Sequence, residues 1–362
     1  MNRIITLNRS SVRIAAGLVR WHISRYLLRR DFPLLATFQL TNKCNFDCRM
    51  CNIKNNPRQD TLPLEDFKRI IDDLAEMGTV FVSLSGGEPL LIKNILDYVI
   101  YAKSKIPFVN LVTNGYLLSE DTAVGIAKSG LDSLSVSIDA LGVKHDAIRG
   151  AVGAFDRAIG AIKLVKKHSP ATGITVNTVI SPWNLDDILA LAELVASMGV
   201  LQKLQPVYVH PEFNGQAANY QAPKAQEIDI SKVKAVIAGL LKKKSVSNSA
   251  YFLNCIPDFF AGEFKKDIFE QDCIYPSFCA EFTQDGLMYP CIVGKDWTGG
   301  YDVREGLKKV FSSRQYRDEV SRLTKCRLCR KNFSVCYVET RLTLPLTNFV
   351  RYNFNFWKQG LI

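Results

Sequence analysis

From residue 35 to about 209 the chain alternates short apolar runs with segments of helical period. The runs are 35–41 (LATFQLT), 80–85 (VFVSLS), 107–113 (PFVNLVT), 133–138 (SLSVSI), 174–180 (ITVNTVI) and 203–209; helices are expected over about 64–77, 93–104, 119–129, 155–168 and 185–198. Strands separated by whole helices return by crossovers, and crossovers are right-handed, so these strands should run parallel in one sheet. Six such units fall short of a closed eight-stranded barrel. The expected fold is therefore α/β, a partial (βα)6 barrel that stays open. In that architecture sites are built from the loops that follow the strands, and Gly86-Gly87 and Asn114-Gly115 punctuate two of those loops.

Outside this core the composition changes. Residues 211–250, polar and then a KKKS run, read as a connector that contains a helix. Over 251–340 the regularity fades and seven cysteines appear (255, 273, 279, 291, 326, 329 and 336), as in a small second domain organised by something other than a sheet. Residues 341–362 form an aromatic tail; its last stretch, 348–362, has five aromatics and no acid. Such an end suits a membrane interface or a cap on the protein's own core. No apolar run reaches membrane-spanning length, and the run Ile14 to Val19 is cut off by Arg20 with no cleavage site after it. Ten cysteines without an export signal point to a reducing, cytoplasmic setting, where clustered thiols bind metal or do chemistry.

The charge is uneven. The chain nets +11, but residues 1–30 carry seven arginines and no acid, which leaves +4 for the rest. As a helix within segment 1–34, residues 9–30 set Arg9, Arg13, Gly17, Arg20 and Ser24 on one side and Val12, Ala16, Val19, Ile23 and Tyr26 on another, with Trp21 at the flank. That pattern suits a helix lying on an anionic membrane surface, peripheral on its inner face, or a helix docked on the protein's own body. No zinc-finger, homeodomain or RNA-binding signature accompanies the basic stretch, so no nucleic acid is expected.

The loop after the first strand reads TNKCNFDCRMC (41–51), with Cys44, Cys48 and Cys51 separated by three and then two residues. Thiolates select zinc, copper(I) or iron–sulfur clusters. Three thiolates around a four-iron cluster leave one iron open for a ligand that is not protein. A zinc knuckle completed from elsewhere, or merely structural cysteines, are the plainer readings.

The spacing resembles the CxxxCxxC signature of the radical S-adenosylmethionine (radical SAM) superfamily, and other stretches resemble it too. SLSGGEPLL (83–91) is similar to the family's GGE stretch after its second strand. VTNGYLL (112–118) is similar to the stretch after the third, and SVSIDALGVKHDAIRG (135–150) to the fourth-strand segment. The resemblance covers about 35–210. It implies a [4Fe–4S] cluster on Cys44, Cys48 and Cys51, and S-adenosylmethionine (SAM) held by Met50, Gly86, Gly87, Glu88, Asn114, Ser137 and Arg149. Among these, Glu88 would accept from the SAM ammonium, Ser137 would contact the ribose and Arg149 the carboxylate. Met50 stands where the family usually has an aromatic, and a thioether can still pack on a purine. Phe46 reads as a packing residue, Asp139 as shaping a turn, and His145 as a partly exposed loop histidine.

Residues 273–291 and 326–336 resemble the C-terminal auxiliary-cluster domains called SPASM and, in shorter form, Twitch. That implies one auxiliary [4Fe–4S] cluster. The Twitch pattern gives Cys279, Cys291, Cys326 and Cys329 as ligands, while Cys273 and Cys336 complete the longer pattern. A CxxC with two distant cysteines is equally a zinc ribbon, and Cys255 reads as buried structure.

The resemblance implies an oxidoreductase or maturase-type enzyme that cleaves SAM to a 5′-deoxyadenosyl radical and abstracts hydrogen from its substrate. Its partners would be an electron donor such as flavodoxin or ferredoxin and a peptide or lipid-linked substrate. No side chain identifies itself as the substrate's acid or base. A non-enzymatic iron–sulfur or zinc protein would keep the cysteines but has no use for Glu88, Ser137 and Arg149.

Overall fold

The computed structural model describes residues 9–28, 31–56, 59–208, 228–262, 272–297, 299–303, 306–330 and 332–343. Arg3, Arg29 and Arg30, residues 211–227 of the expected connector, and the 348–362 stretch lie outside them. Six strands follow the expected order: β1 (Leu35–Gln39), β2 (Phe81–Ser85), β3 (Phe108–Thr113), β4 (Ser133–Ser137), β5 (Gly173–Ile180) and β6 (Leu201–Pro206). Each pairs in parallel with its neighbour. The expected crossovers are α2 (Leu64–Met77), α3 (Ile95–Lys105), α4 (Glu120–Ser129), α6 (Ala154–His168) and α7 (Ile188–Ser197).

One face of the sheet is apolar, and the other turns largely polar beyond Leu35, Phe81 and Phe108 at the strand starts. Phe38, Val82, Leu84, Leu111, Leu134 and Val136 are fully buried in one core cluster with Phe67, Ile71 and Leu74 of α2. Phe67, Ile70, Ile71 and Leu74 recur at helical spacing, which is why 64–77 folds as a helix against the sheet. Burying each such side chain contributes roughly 1.5–3 kcal/mol. The alternate positions carry Thr37, Gln39, Ser83, Ser85, Asn110, Ser135 and Ser137, and the parallel register keeps them on one face. There Asn110 donates to Ser83 Oγ and accepts from Ser135 Oγ, both at 3.1 Å, tying three strands together.

Three features depart from the expectations. Residues 142–149 form a further helix, α5 (Gly142–Arg149). The cysteine-rich region is not independent of the sheet: after α8 (Ile230–Leu240) and α9 (Ala250–Phe260), β7 (Cys279–Phe282) pairs in parallel with β1. Then β8 (Leu287–Tyr289) and β9 (Tyr301–Asp302) extend it antiparallel, giving the order β6-β5-β4-β3-β2-β1-β7-β8-β9. Strands of two to four residues are too short to show a readable alternation. The edges β6 and β9 are not paired with each other, so the sheet stays open. Helices α10 (Leu307–Ser312), α11 (Arg314–Thr324) and α12 (Val335–Thr343) complete the described chain.

The third departure is at the N-terminus. Helix α1 (Arg9–His22) is docked on the body, one of the two placements expected of it, but through a side other than the Val12/Val19 stripe. Trp21 is fully buried, edge-on to Phe278 at 6.0 Å, with its indole N–H 3.4 Å from the Ser277 carbonyl. Gly17 lets the helix come close: a Cβ there would lie 2.2 Å from Val80 Cγ1. Arg13 donates to the Lys105 carbonyl at 2.9 Å, and the Arg20 guanidinium sits 5.3 Å over the Phe32 ring. Among the described residues, no helix is long and apolar enough to cross a membrane.

Candidate active site at the strand C-terminal ends

The cysteine loop leaves the C-terminal end of β1 and is held from three sides. From β2, Gly87 N–H reaches the Thr41 carbonyl at 2.6 Å and Glu88 N–H the Lys43 carbonyl at 2.8 Å. A Cβ on Gly87 would stand 2.1 Å from the Lys43 oxygen, and one on Gly86 2.5 Å from the Thr41 oxygen. The close approach that demands glycine is thus to the chain's own cysteine loop. From β3, Asn114 donates through Nδ2 to Asn45 Oδ1 at 2.8 Å. From α5, the Ile148 carbonyl accepts from Arg49 N–H at 2.9 Å, and Gly150, at φ +64°, leaves room for the Asp47 carbonyl, which a Cβ would meet at 2.3 Å. Gly150 was not singled out from sequence, because no helix was expected ahead of it for it to cap.

Cys44, Cys48 and Cys51 are all half-buried in this loop and lie close enough to act on one another electrostatically. Burial pushes the Cys44 thiol up to about 11 and the Cys51 thiol up to about 12. It raises Cys48 as well, against the pull of Arg149. Alone, the loop keeps three protonated thiols, and a bound metal centre would strip their protons. Among the described residues, no three of His, Cys, Asp and Glu are already drawn together as an ion site. The donor set itself, three neighbouring thiols on a loop braced by β2, β3 and α5, fits a three-thiolate centre. Phe46 is buried edge-on to Tyr116 at 5.5 Å, in the packing role expected of it.

The side chains expected around SAM gather at the same end of the sheet. Glu88 is fully buried and bridges two strand ends: Oε1 accepts from Leu90 N–H at 3.0 Å and Thr113 Oγ1 at 2.7 Å, and Oε2 from Asn114 N–H at 2.7 Å. Burial raises its pKa against those donors. Ser137 ends β4, half-buried, opposite Asn177 of β5. Met50 is buried in an apolar cluster with Ala140 and Ile148.

Arg149 Nε lies 2.6 Å from Asp139 Oδ2, and its Nη1 is 4.0 Å from Cys48 Sγ. Burial works against its charge, but Asp139 and then Cys48 outweigh it and raise the pKa. An arginine has five N–H donors, so this pair does not exhaust it. Asp139 is therefore more than a turn residue. Oδ1 accepts from Val179 N–H at 2.9 Å, and its carbonyl accepts from Asn184 Nδ2 at 2.7 Å.

The expectation of a partly exposed loop histidine at 145 is corrected. His145 is fully buried on α5, with Nδ1 accepting from Asp139 N–H at 3.0 Å and Nε2 without a hydrogen-bond partner. Burial, reinforced by Arg149, lowers its pKa to about 4. Trp183, whose ring lies 4.5 Å under the Arg49 guanidinium, also went unread.

Several of the C-terminal cysteines stand near one another. Cys291 lies within electrostatic reach of Cys329 and Cys273, all three buried. Cys279, on β7, lies 3.1 Å from the Tyr275 hydroxyl and within reach of Glu281 and Cys336. Cys326 accepts from Leu328 N–H at 3.3 Å, and Cys336 is exposed on α12. Cys255 is buried inside α9, as expected. Glu281, unread from sequence, is a buried carboxylate among these thiols that accepts from Ile292 N–H and from the Tyr337 hydroxyl at 3.2 Å.

The family model for the radical SAM superfamily matches residues 38–195. The AdoMet-dependent heme synthase of Methanosarcina barkeri is 32% identical over 172 residues, 47% of this chain and 49% of that protein. The sporulation killing factor maturation protein SkfB of Bacillus subtilis is 30% identical over 168 residues, 46% of this chain and 40% of that one. The chain thus spans about half the length of the curated relatives it matches, or less. In fold it is similar to Streptococcus suis SuiB bound to precursor peptide SuiA, at TM-score 0.63 and 18% identity, over 91% of this chain and 78% of that one.

Proposed function

The chain carries a radical SAM domain over residues 38–195, and on that premise we propose that it is an enzyme that reductively cleaves SAM and abstracts hydrogen from a peptide substrate. The observation that carries the reading is convergence. Cys44, Cys48 and Cys51 after β1, Gly86 to Glu88 after β2, Asn114 after β3, and Ser137 with the Asp139–Arg149 pair after β4 all stand at one end of the parallel sheet.

The radical SAM family implies a [4Fe–4S] cluster and SAM, and the three loop thiols would hold that cluster. When bound, these groups would supply reductive cleavage of SAM and hydrogen-atom abstraction, with the electron coming from an external donor. The chain's own residues hold and orient. Arg149 offers charge-assisted donors to a carboxylate, Glu88 offers Oε2 to an ammonium, and Ser137 a hydroxyl to a ribose. An electron donor such as flavodoxin or ferredoxin belongs to this reading.

A peptide is favoured over a lipid-linked substrate because SkfB is named as a maturation protein and SuiB was solved with a precursor peptide. A single auxiliary cluster in the C-terminal region would draw its ligands from Cys273, Cys279, Cys291, Cys326, Cys329 and Cys336, with Cys291 near both Cys273 and Cys329.

The test is anaerobic reconstitution with iron and sulfide, then dithionite and SAM. Release of 5′-deoxyadenosine by the wild type, lost when Cys44, Cys48 and Cys51 are changed to alanine, supports the proposal. Tightly bound zinc without charge-transfer absorption would refute it.

A further inference from the structure

Helix α1 is anchored by one side only. Trp21 and Gly17 seat it on Phe278 and Val80, and the opposite side presents Val12, Ala15, Ala16, Val19 and Ile23 to solvent as one apolar face. Val12 is 53% exposed, Val19 60% and Ile23 46%, and Leu27, in the next turn, 75%. Arg13 and Arg20, exposed at one edge of this face, keep their charge and further N–H donors there even though their guanidiniums also touch the Lys105 carbonyl and the Phe32 ring, and residues 1–30 contain no acid.

An occupant of this face must accept apolar side chains and be negatively charged at its rim. A second copy of the chain meets the first condition and fails the second, because pairing two such faces sets arginines against arginines. An anionic lipid surface meets both, with acyl chains under the stripe and headgroup phosphates beside the arginines. We propose that the outward face of α1 docks the folded protein on an anionic membrane surface.

The docking fixes an orientation. Leu34, Val80, the Lys105 carbonyl and the Ser277 carbonyl, which α1 touches, directly precede or lie just before β1, β2, β3 and β7. The helix therefore lies across the N-terminal ends of the strands. The cysteine loop lies at their C-terminal ends, a strand length of about 17–20 Å away. On the reading of those ends as the active site, the mouth faces away from the bilayer and the substrate arrives from solution. The docking itself does not depend on that reading.

The experiment uses the full chain with reconstituted clusters, floated with phosphatidylcholine/phosphatidylglycerol vesicles and with phosphatidylcholine alone. Wild type should float with the anionic vesicles only. Val19→Glu/Ile23→Glu, both in exposed positions, should lower binding at least about tenfold, as should high salt, while SAM cleavage stays unchanged. A wild type that stays unbound, binds both vesicles alike, or binds no better than the double variant overturns the proposal. So does a wild-type dimer in light scattering that the double variant dissociates, since the face would then belong to a second copy. For the orientation, a lipid-borne quencher should dim a fluorescent amino acid at position 19 and spare one at 143, an exposed site past the end of β4. Equal quenching refutes it.

Discussion

Arg149 reaches Asp139 with its Nε at 2.6 Å while the other end of the guanidinium stands 4.0 Å from Cys48 Sγ. Asp139 is fully buried and also holds Val179 N–H, so this pair ties β5 and α5 to the cysteine loop. Removing one member of a buried pair leaves an uncompensated charge, a loss of about 3–5 kcal/mol, whereas removing both costs much less. Asp139→Asn should clearly lower the thermal midpoint, and adding Arg149→Met should recover much of it. A midpoint for Asp139→Asn equal to wild type would show that the pair contributes nothing.

Glu88 accepts three hydrogen bonds, two of which, from Thr113 and Asn114, join the end of β2 to the end of β3. Glu88→Ala removes the charge offered to SAM and leaves those donors unmet. SAM affinity should fall about tenfold to a hundredfold, roughly 1.5–3 kcal/mol, with iron at the first site retained. Equilibrium binding and iron assay on the same sample decide this; unchanged affinity would remove Glu88 from the proposed site.

Gly87→Ala tests the cysteine loop without touching a ligand. Its Cβ would meet the Lys43 oxygen at 2.1 Å, a backbone atom, so the loop must shift. Reconstituted iron should drop by on the order of four per chain, one [4Fe–4S] cluster. Gly160→Ala, with nothing within 4 Å, should keep its full iron and serves as the control. Equal iron in both variants would mean the loop tolerates the shift.

His145 gives a pH prediction. Its folded pKa is lowered to about 4 by burial, below the ordinary 6.5, so the unfolded chain takes up the proton first as pH falls. The stability this contributes is present above 6.5, is lost on descending towards 4, and amounts to up to about 3 kcal/mol. The midpoint of wild type should fall faster than that of His145→Gln from pH 7 to about 4.5. Parallel profiles would show that the ring is not held neutral by the fold.

The strands β1 to β6 were legible because each is a short run with recurring apolar residues and helical periods separate them, with Gly86-Gly87 and Asn114-Gly115 closing two of the runs. The cysteine trio was legible because its spacing is local. What sequence did not disclose depends on distant partners. Asp139 and Arg149 are ten positions apart and meet only because α5 folds back over the loop. α5 itself (GVKHDAIR) is a short helix with few apolar positions, and the exposure of its histidine cannot be read from so brief a segment. Glu281 had no signal in the sequence, because only the pairing of β7 with β1 brings it in among the thiols. In α1 the periodicity marked the apolar stripe correctly but not which side is covered. Gly17 and Trp21 decide that by their fit to Val80 and Phe278, contacts no helical wheel contains.

Because β7 hydrogen-bonds to β1, Cys279 and Glu281 are carried on the strand next to the one that delivers Cys44. The two thiol-bearing regions are therefore mounted on one stiff plate, and the gap between them works like a fixed gauge. Lengthening the 211–227 segment should leave that gap unchanged, whereas sliding β7 by one residue along β1 would turn Cys279 and Glu281 to the opposite face. The spacing from one region to the other is thus set by the hydrogen bonds of the sheet itself.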